Sequence, residues 1–134
     1  MTDTPPTAAP VAETTEKTID WNAMLAPYRQ PVAWKSGFQL ASTAFLLALF
    51  WGLAAWSLQV GYWLTLILAV PASMMIARLF MLQHDCGHGS FFRSQKLNNL
   101  VGGALGVITL VPYAYWRRTH AIHHATSGNL DVRG

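Results

Sequence analysis

Long stretches without a charge alternate along this chain with short polar connectors. Residues 37–58, GFQLASTAFLLALFWGLAAWSL, contain no charged side chain. As a helix rising about 1.5 Å per residue they reach about 33 Å, enough to cross a hydrocarbon layer of about 30 Å. A second apolar run, residues 61–83, begins after only Gln59 and Val60 and holds one charge, Arg78. So short a link predicts a tight helical hairpin that returns the chain to its starting side. One such run can be a buried helix of a large soluble protein, but two in succession in a short chain argue against that. Pro71 falls mid-span and predicts a kink, its freed carbonyl satisfied by neighbouring groups. Arg78, near the end of the run, can snorkel to the interface.

The flanks are different. Residues 1–16 are rich in Thr, Pro and Ala and carry almost no large apolar side chain, which predicts disorder. They lack the basic start and apolar stretch of a secretory signal. Residues 19–35 form a mixed lead-in, with Trp21, Tyr28 and Trp34 suited to the headgroup level. Pro27 and Pro31 argue against a continuous helix there. The domain division is therefore a tail and juxtamembrane lead-in over residues 1–36 and a membrane domain over residues 37–134. Beyond the hairpin, residues 90–99 read as a polar loop. Residues 100–116, LVGGALGVITLVPYAYW, are again apolar or small.

Composition fits this picture. Apolar residues make up 52% and charged residues 11%, where a soluble domain carries roughly a quarter charged. The fold class expected is all-α integral membrane, with a transmembrane helical hairpin plus an interfacial or re-entrant helix. The formal charge of +3 is too small, and too dispersed around the apolar runs, to indicate a nucleic-acid partner. Basic residues instead set the orientation. Arg29, Lys35, Arg78, Arg93, Lys96, Arg117 and Arg118 all lie away from the hairpin turn. The positive-inside bias places the N-terminus and everything after the hairpin in the cytoplasm, with a bacterial inner membrane as the expected location.

The chemistry is concentrated in two boxes. All five histidines occur in His84-Asp85-Cys86-Gly87-His88 and in the HAIHH of residues 120–124. On a helix, His84 and His88 share a face. His124 then sits about 40° to one side of His120 and His123 about 60° to the other. That spread suits a box whose middle ligand approaches one metal while its last approaches a second. Neutral imidazole ligates zinc, copper, iron and nickel. Structural zinc usually includes cysteine, and Cys86 is the only one present. Haem needs one or two axial histidines and leaves three unexplained. Spacing favours iron without proving it. If both boxes serve one site, the chain between them crosses the membrane an even number of times. Seventeen residues are too few for two crossings. Residues 100–116 are therefore expected to form a non-spanning helix, irregular near its glycines and broken near Pro112. Two separate sites would restore a third crossing.

HDCGHGSFF at residues 84–92 and WRRTHAIHHATSGNLD at residues 116–131 resemble the first and second histidine boxes of membrane fatty acid desaturases. The nearest likeness is to bacterial and cyanobacterial acyl desaturases of the delta-12/omega-6 type, and it covers roughly the last hundred residues. The resemblance implies two non-haem iron ions that activate dioxygen and introduce a cis double bond into a lipid-linked or thioester acyl chain. In that reading His84, His88, His120, His123 and His124 are iron ligands, and ferredoxin or a cytochrome-b5-type donor supplies electrons. Related boxes serve hydroxylases and ketolases. A small non-catalytic metal or haem protein of the membrane is the alternative of another class, and a Soret band would reveal haem. The family carries a third box of the form HxxHH after two further spans, whereas this sequence stops at Gly134. The chain is thus expected to be an N-terminal part of a desaturase and to be inactive alone.

Neighbours of the histidines take lesser expected roles, and no catalytic residue beyond the ligands is read. Asp85 can accept from a ligand imidazole and fix its tautomer. Cys86 is expected to pack rather than ligate. Gly87 and Gly89 are expected to let the chain leave its helix. Arg117 and Arg118 read as interfacial anchors. Asn129 and Asp131 match the family pattern without a legible role.

Overall fold

The computed structural model describes residues 19–129 and 131. The expected disordered stretch, residues 1–16, lies outside the described residues. Five α-helices and one 3-10 turn make up the described chain, with no strand among the described residues. They are α1 (Trp21–Leu25), a 3-10 turn (Ala26–Arg29), α2 (Ala33–Ser57), α3 (Tyr62–Gly87), α4 (Gln95–Ile108) and α5 (Tyr113–Thr126).

The lead-in folds as its prolines require. Asp20 caps α1 by accepting from the backbone N–H groups of Asn22 and Ala23. Pro27 sits in the first turn of the 3-10 segment, where its missing N–H costs nothing. Pro31 holds the preceding Gln30 extended, Val32 is also extended, and α2 starts at Ala33. The first apolar helix therefore begins four residues before the uncharged run and takes in Trp34 and Lys35.

Helices α2 and α3 are each long and apolar enough to cross a membrane. They form the expected hairpin, joined by residues 58–61. The hydroxyls of Ser57 and Thr65 lie 2.8 Å apart and close its base. Both helices turn large side chains outward along most of their length, among them Phe38, Phe45, Trp51, Trp63 and Ile67. An apolar exterior suits hydrocarbon as solvent. Helix α3 runs through Pro71 and continues to Gly87, four residues past the end of the apolar run. His84 is therefore on its last turn and His88 is its C-cap.

The buried core gathers at the histidine end. Leu47, Leu79, Leu82, Cys86, Phe91, Leu105 and Tyr113 form one cluster contributed by every helix from α2 to α5 and the loop before α4. Cys86 is fully buried there as a packing residue. The loop is pinned twice. Asn98 on α4 binds Phe92 in both directions, its Oδ1 accepting from the Phe92 N–H at 2.8 Å and its Nδ2 donating to the Phe92 carbonyl at 2.8 Å. Ser36 on α2 donates to the Phe91 carbonyl at 2.5 Å. Half of the expected polar loop is helical, because Ser94 caps α4 through the Leu97 N–H.

Residues 100–116 differ from expectation in one respect. The break falls before Pro112, but the glycines lie within the regular helix α4. They make room rather than irregularity: a Cβ on Gly102 would overlap the Tyr113 ring, and one on Gly106 would meet the Val111 carbonyl oxygen at 2.7 Å. This close approach lets α5 fold back on α4, and the two helices meet at 107°. At the corner Leu110 adopts a left-handed φ of 58° and is 88% exposed. Gln83 of α3 braces the corner. Its side-chain oxygen accepts from the Thr109 hydroxyl at 2.6 Å and its amide nitrogen donates to the Val111 carbonyl at 3.3 Å. Gln83 is fully buried, so these partners satisfy an amide that would otherwise be costly there.

Candidate metal centre

The two boxes come together where α3 ends and α5 passes it. His84 and His88 lie one turn apart on α3 and its cap; His120 and His124 lie one turn apart on α5. Their four Nε2 atoms converge. His84 and His88 are 3.3 Å apart, His88 and His120 3.2 Å, and His120 and His124 3.0 Å. One ligand atom from each of the four lies within 4.8 Å of all the others. His84 and His120 are half-buried, while His88 and His124 are exposed.

Hydrogen bonding cannot account for this arrangement. Each neutral imidazole Nε2 carries either one hydrogen or one lone pair. Three contacts in a chain of four such atoms force one lone pair to accept twice and one hydrogen to be shared. A central cation satisfies all four at once. Imidazole nitrogens about 2.1 Å from a shared ion lie about 3.0 to 3.4 Å apart between right-angled and tetrahedral arrangements, and the observed spacings match those edges. The donor set fits a metal of the imidazole-binding class.

Two of the rings, His88 and His120, sit in surroundings that favour the neutral form. Desolvation first, then the neighbouring imidazoles, hold both His88 and His120 below the ordinary histidine range. Asp85 places Oδ1 3.5 Å from His84 Nδ1, at the outer limit of a hydrogen bond. His123 stands apart from the convergence, its ring centroid 6.1 Å from that of His120 and 5.9 Å from that of His124. The structure sets His123 apart from His124, and the first and last histidines of the box, His120 and His124, share the cluster.

Three neighbours escaped the sequence reading or were read differently. Trp116 stacks on His120 at 4.6 Å and 17°, and its ring centroid is 5.5 Å from that of His84. It fits because Gly87 has no side chain: a Cβ there would come within 2.7 Å of the indole. Gly87 thus stays helical and admits Trp116, while Gly89, at φ 71°, lets the chain turn away. Arg117 is more than an anchor. Its Nε donates to the Gly87 carbonyl at 3.2 Å and one terminal nitrogen donates to Asn99 Oδ1 at 3.1 Å. An aromatic and an arginine placed one turn before His120 are the signal that points to such contacts. Asn129 accepts from the Asp131 N–H at 3.0 Å, a local turn beyond α5.

A mostly apolar groove of about 1360 Å³ occupies the concave side of the α4–α5 bend. Gly103, Val107, Leu110 and Tyr113 line it, and His88 and His120 lie at its edge.

Comparison with known proteins places these features together. The family model for fatty acid desaturases matches residues 61–133. A fatty acid desaturase of Bacillus subtilis is 46% identical over 82% of this chain and 31% of its own length. An endoplasmic-reticulum omega-3 fatty acid desaturase of Nicotiana tabacum is 45% identical over 60% of the chain and 20% of its own. A Synechocystis protein, named sn-1 acyl-lipid omega-3 desaturase (ferredoxin), is 41% identical over 65% of the chain and 24% of its own. The chain therefore spans about a third or less of the length of these relatives. No solved structure matches it significantly. With both histidine boxes inside the matched segment and converging on one point, the chain belongs to the fatty acid desaturase family.

Proposed function

We propose that this chain contributes the first two histidine boxes to an oxygen-dependent acyl desaturase, with His84, His88, His120, His123 and His124 as ligands of a non-haem di-iron centre. The observation that carries this reading is the convergence of four Nε2 atoms from both boxes. His84, His88, His120 and His124 would hold one ion, and His123, set to the side, would serve the second. Bound iron supplies the activation of dioxygen needed to remove two hydrogens from a saturated carbon pair.

The chain's own residues do the rest. With every Nε2 lone pair directed inward, Nδ1 must carry the ring proton. Asp85 faces that proton on His84 and favours the required tautomer. The groove inside the bend takes an acyl chain of a membrane lipid or thioester, each buried methylene contributing about 0.8 kcal/mol. Because both boxes meet at one place, α4 and α5 are read as a re-entrant or interfacial pair rather than a crossing. The distribution of basic residues supports a cytoplasmic position for this face, at a bacterial inner membrane. There a ferredoxin or cytochrome-b5-type donor can reach it, and the name of the Synechocystis relative supports ferredoxin.

Expression from the complete reading frame in a bacterial host, followed by fatty acid profiling, tests the reading. A new cis double bond is the expected result. Iron-loaded protein that leaves the profile unchanged, with a reduced donor present, would overturn it.

A further inference from the structure

Helices α3 and α5 carry the two halves of the histidine cluster and meet beside it through Trp116, whose ring lies 5.5 Å from those of Phe80 and His84. Gly87, Trp116, Arg117 and Asn99 form one connected set around that contact. Arg117 binds the carbonyl of Gly87, one residue before His88, and so reaches across from one turn before His120. Its second contact, to Asn99 Oδ1, ties the same guanidinium to α4. Asn99 in turn receives the Tyr113 hydroxyl at 3.4 Å and the Gln95 amide at 3.0 Å. Trp116 fills the space left by Gly87 and stacks on His120. Gly87 O lies at the C-terminal end of α3, where the helix dipole favours a cation.

We infer that Arg117, held by Asn99, is a positioning residue for the metal centre: it sets the distance between the His84–His88 pair and the His120–His124 pair. The inference rests on the metal reading above. A planar guanidinium reaches two acceptors from one rigid fork, and a lysine ammonium does not. The helix dipole attracts the charge, but the two-point geometry is what sets the distance between the pairs. Arg118, the next residue, makes no side-chain hydrogen bond among the described residues and provides a charge-matched control.

The experiment uses protein from the complete reading frame in detergent, titrated with Co²⁺ as a spectroscopic stand-in for iron. The d–d bands report coordination geometry, which a change in fold stability alone does not move. Arg117→Gln and Arg117→Lys are expected to weaken Co²⁺ binding about tenfold or more and to shift the bands. Arg118→Gln should leave both unchanged. Asn99→Leu should reproduce the Arg117→Gln effect, Asn99→Asp should preserve the wild-type spectrum, and the double variant Arg117→Gln/Asn99→Leu should be no worse than either single one. If Arg117 variants fail to fold, the Asn99 pair supplies the readout. Wild-type affinity and bands in Arg117→Gln, or in Asn99→Leu, overturn the inference while leaving the metal reading intact. Failure of the wild type to bind Co²⁺ overturns both.

Discussion

His88 faces His120 across 3.2 Å, Nε2 to Nε2, although 32 residues of chain separate them. This contact joins the two boxes into one donor set, and the outer histidines complete it one turn away on each side. Removing a vertex should therefore be far more damaging than removing the fifth histidine. His120→Ala is expected to lower affinity for the first equivalent of Co²⁺ by more than the about 10–100-fold that loss of an outer partner costs. His123→Ala should leave that first equivalent in place and impair only a second. Equal damage to the first equivalent from both substitutions would mean that the four-histidine cluster is not the primary site.

Acid should empty the site. His88 and His120 titrate below the ordinary value, so the assembled cluster favours neutral rings. Their stabilising contribution is present above the unfolded value of about 6.5 and is lost as pH falls through it toward the lower folded values. A metal competes with the same protons, so both effects run in one direction. Metal retained after dialysis should fall steeply between about pH 6.5 and 5.5 and stay level from neutral to mildly alkaline. Retention independent of acid would count against imidazole ligation.

Gln83 offers a test of the corner. Gln83→Leu removes the partner of the Thr109 hydroxyl and of the Val111 carbonyl together. A buried polar group left without its partner costs about 1–3 kcal/mol. Unfolding in mixed micelles should register that loss, with greater protease access near Leu110. An unchanged unfolding midpoint would mean that the corner holds without the brace.

Two adjacent glycines should behave oppositely. Gly102→Ala drives a Cβ into the Tyr113 ring, whereas nothing lies within 4 Å of the same atom on Gly103. Overpacking costs about 1–3 kcal/mol, while a helical Gly→Ala exchange with free space gains up to about 1 kcal/mol. Gly102→Ala should therefore unfold earlier than wild type and Gly103→Ala no earlier. Identical behaviour would contradict the close docking of Tyr113.

The hairpin was readable in the sequence because hydrocarbon imposes length and lack of charge on whatever crosses it. Helix ends were harder to read, since a helix does not stop where its apolar run stops. Residues 84–87 continue α3 in register, and Trp34 and Lys35 are helical for the same reason. The glycines of α4 suggest irregularity in the sequence, yet they lie in a regular helix. Glycine lowers helix propensity, but here the missing Cβ atoms of Gly102 and Gly106 admit Tyr113 and the turn before it, and that packing outweighs the propensity. The histidine pairs were legible from their spacing of four. The lock around them was not, because Arg117, Asn99 and Gly87 are brought together only by the 107° fold-back.

Each helix brings only two inward-facing nitrogens to the cluster, and this has a consequence for how the protein is made. Box one leaves the ribosome well before box two, and a lone pair of imidazoles on one helical turn grips a divalent ion weakly. The nascent hairpin thus has little means of capturing a stray cation. On the metal reading, uptake would wait until α5 has swung back beside α3, and an ion arriving then would fasten the two helices to each other. Loading the centre and closing the bend would be a single event, and metal content would record whether α5 has docked on α3.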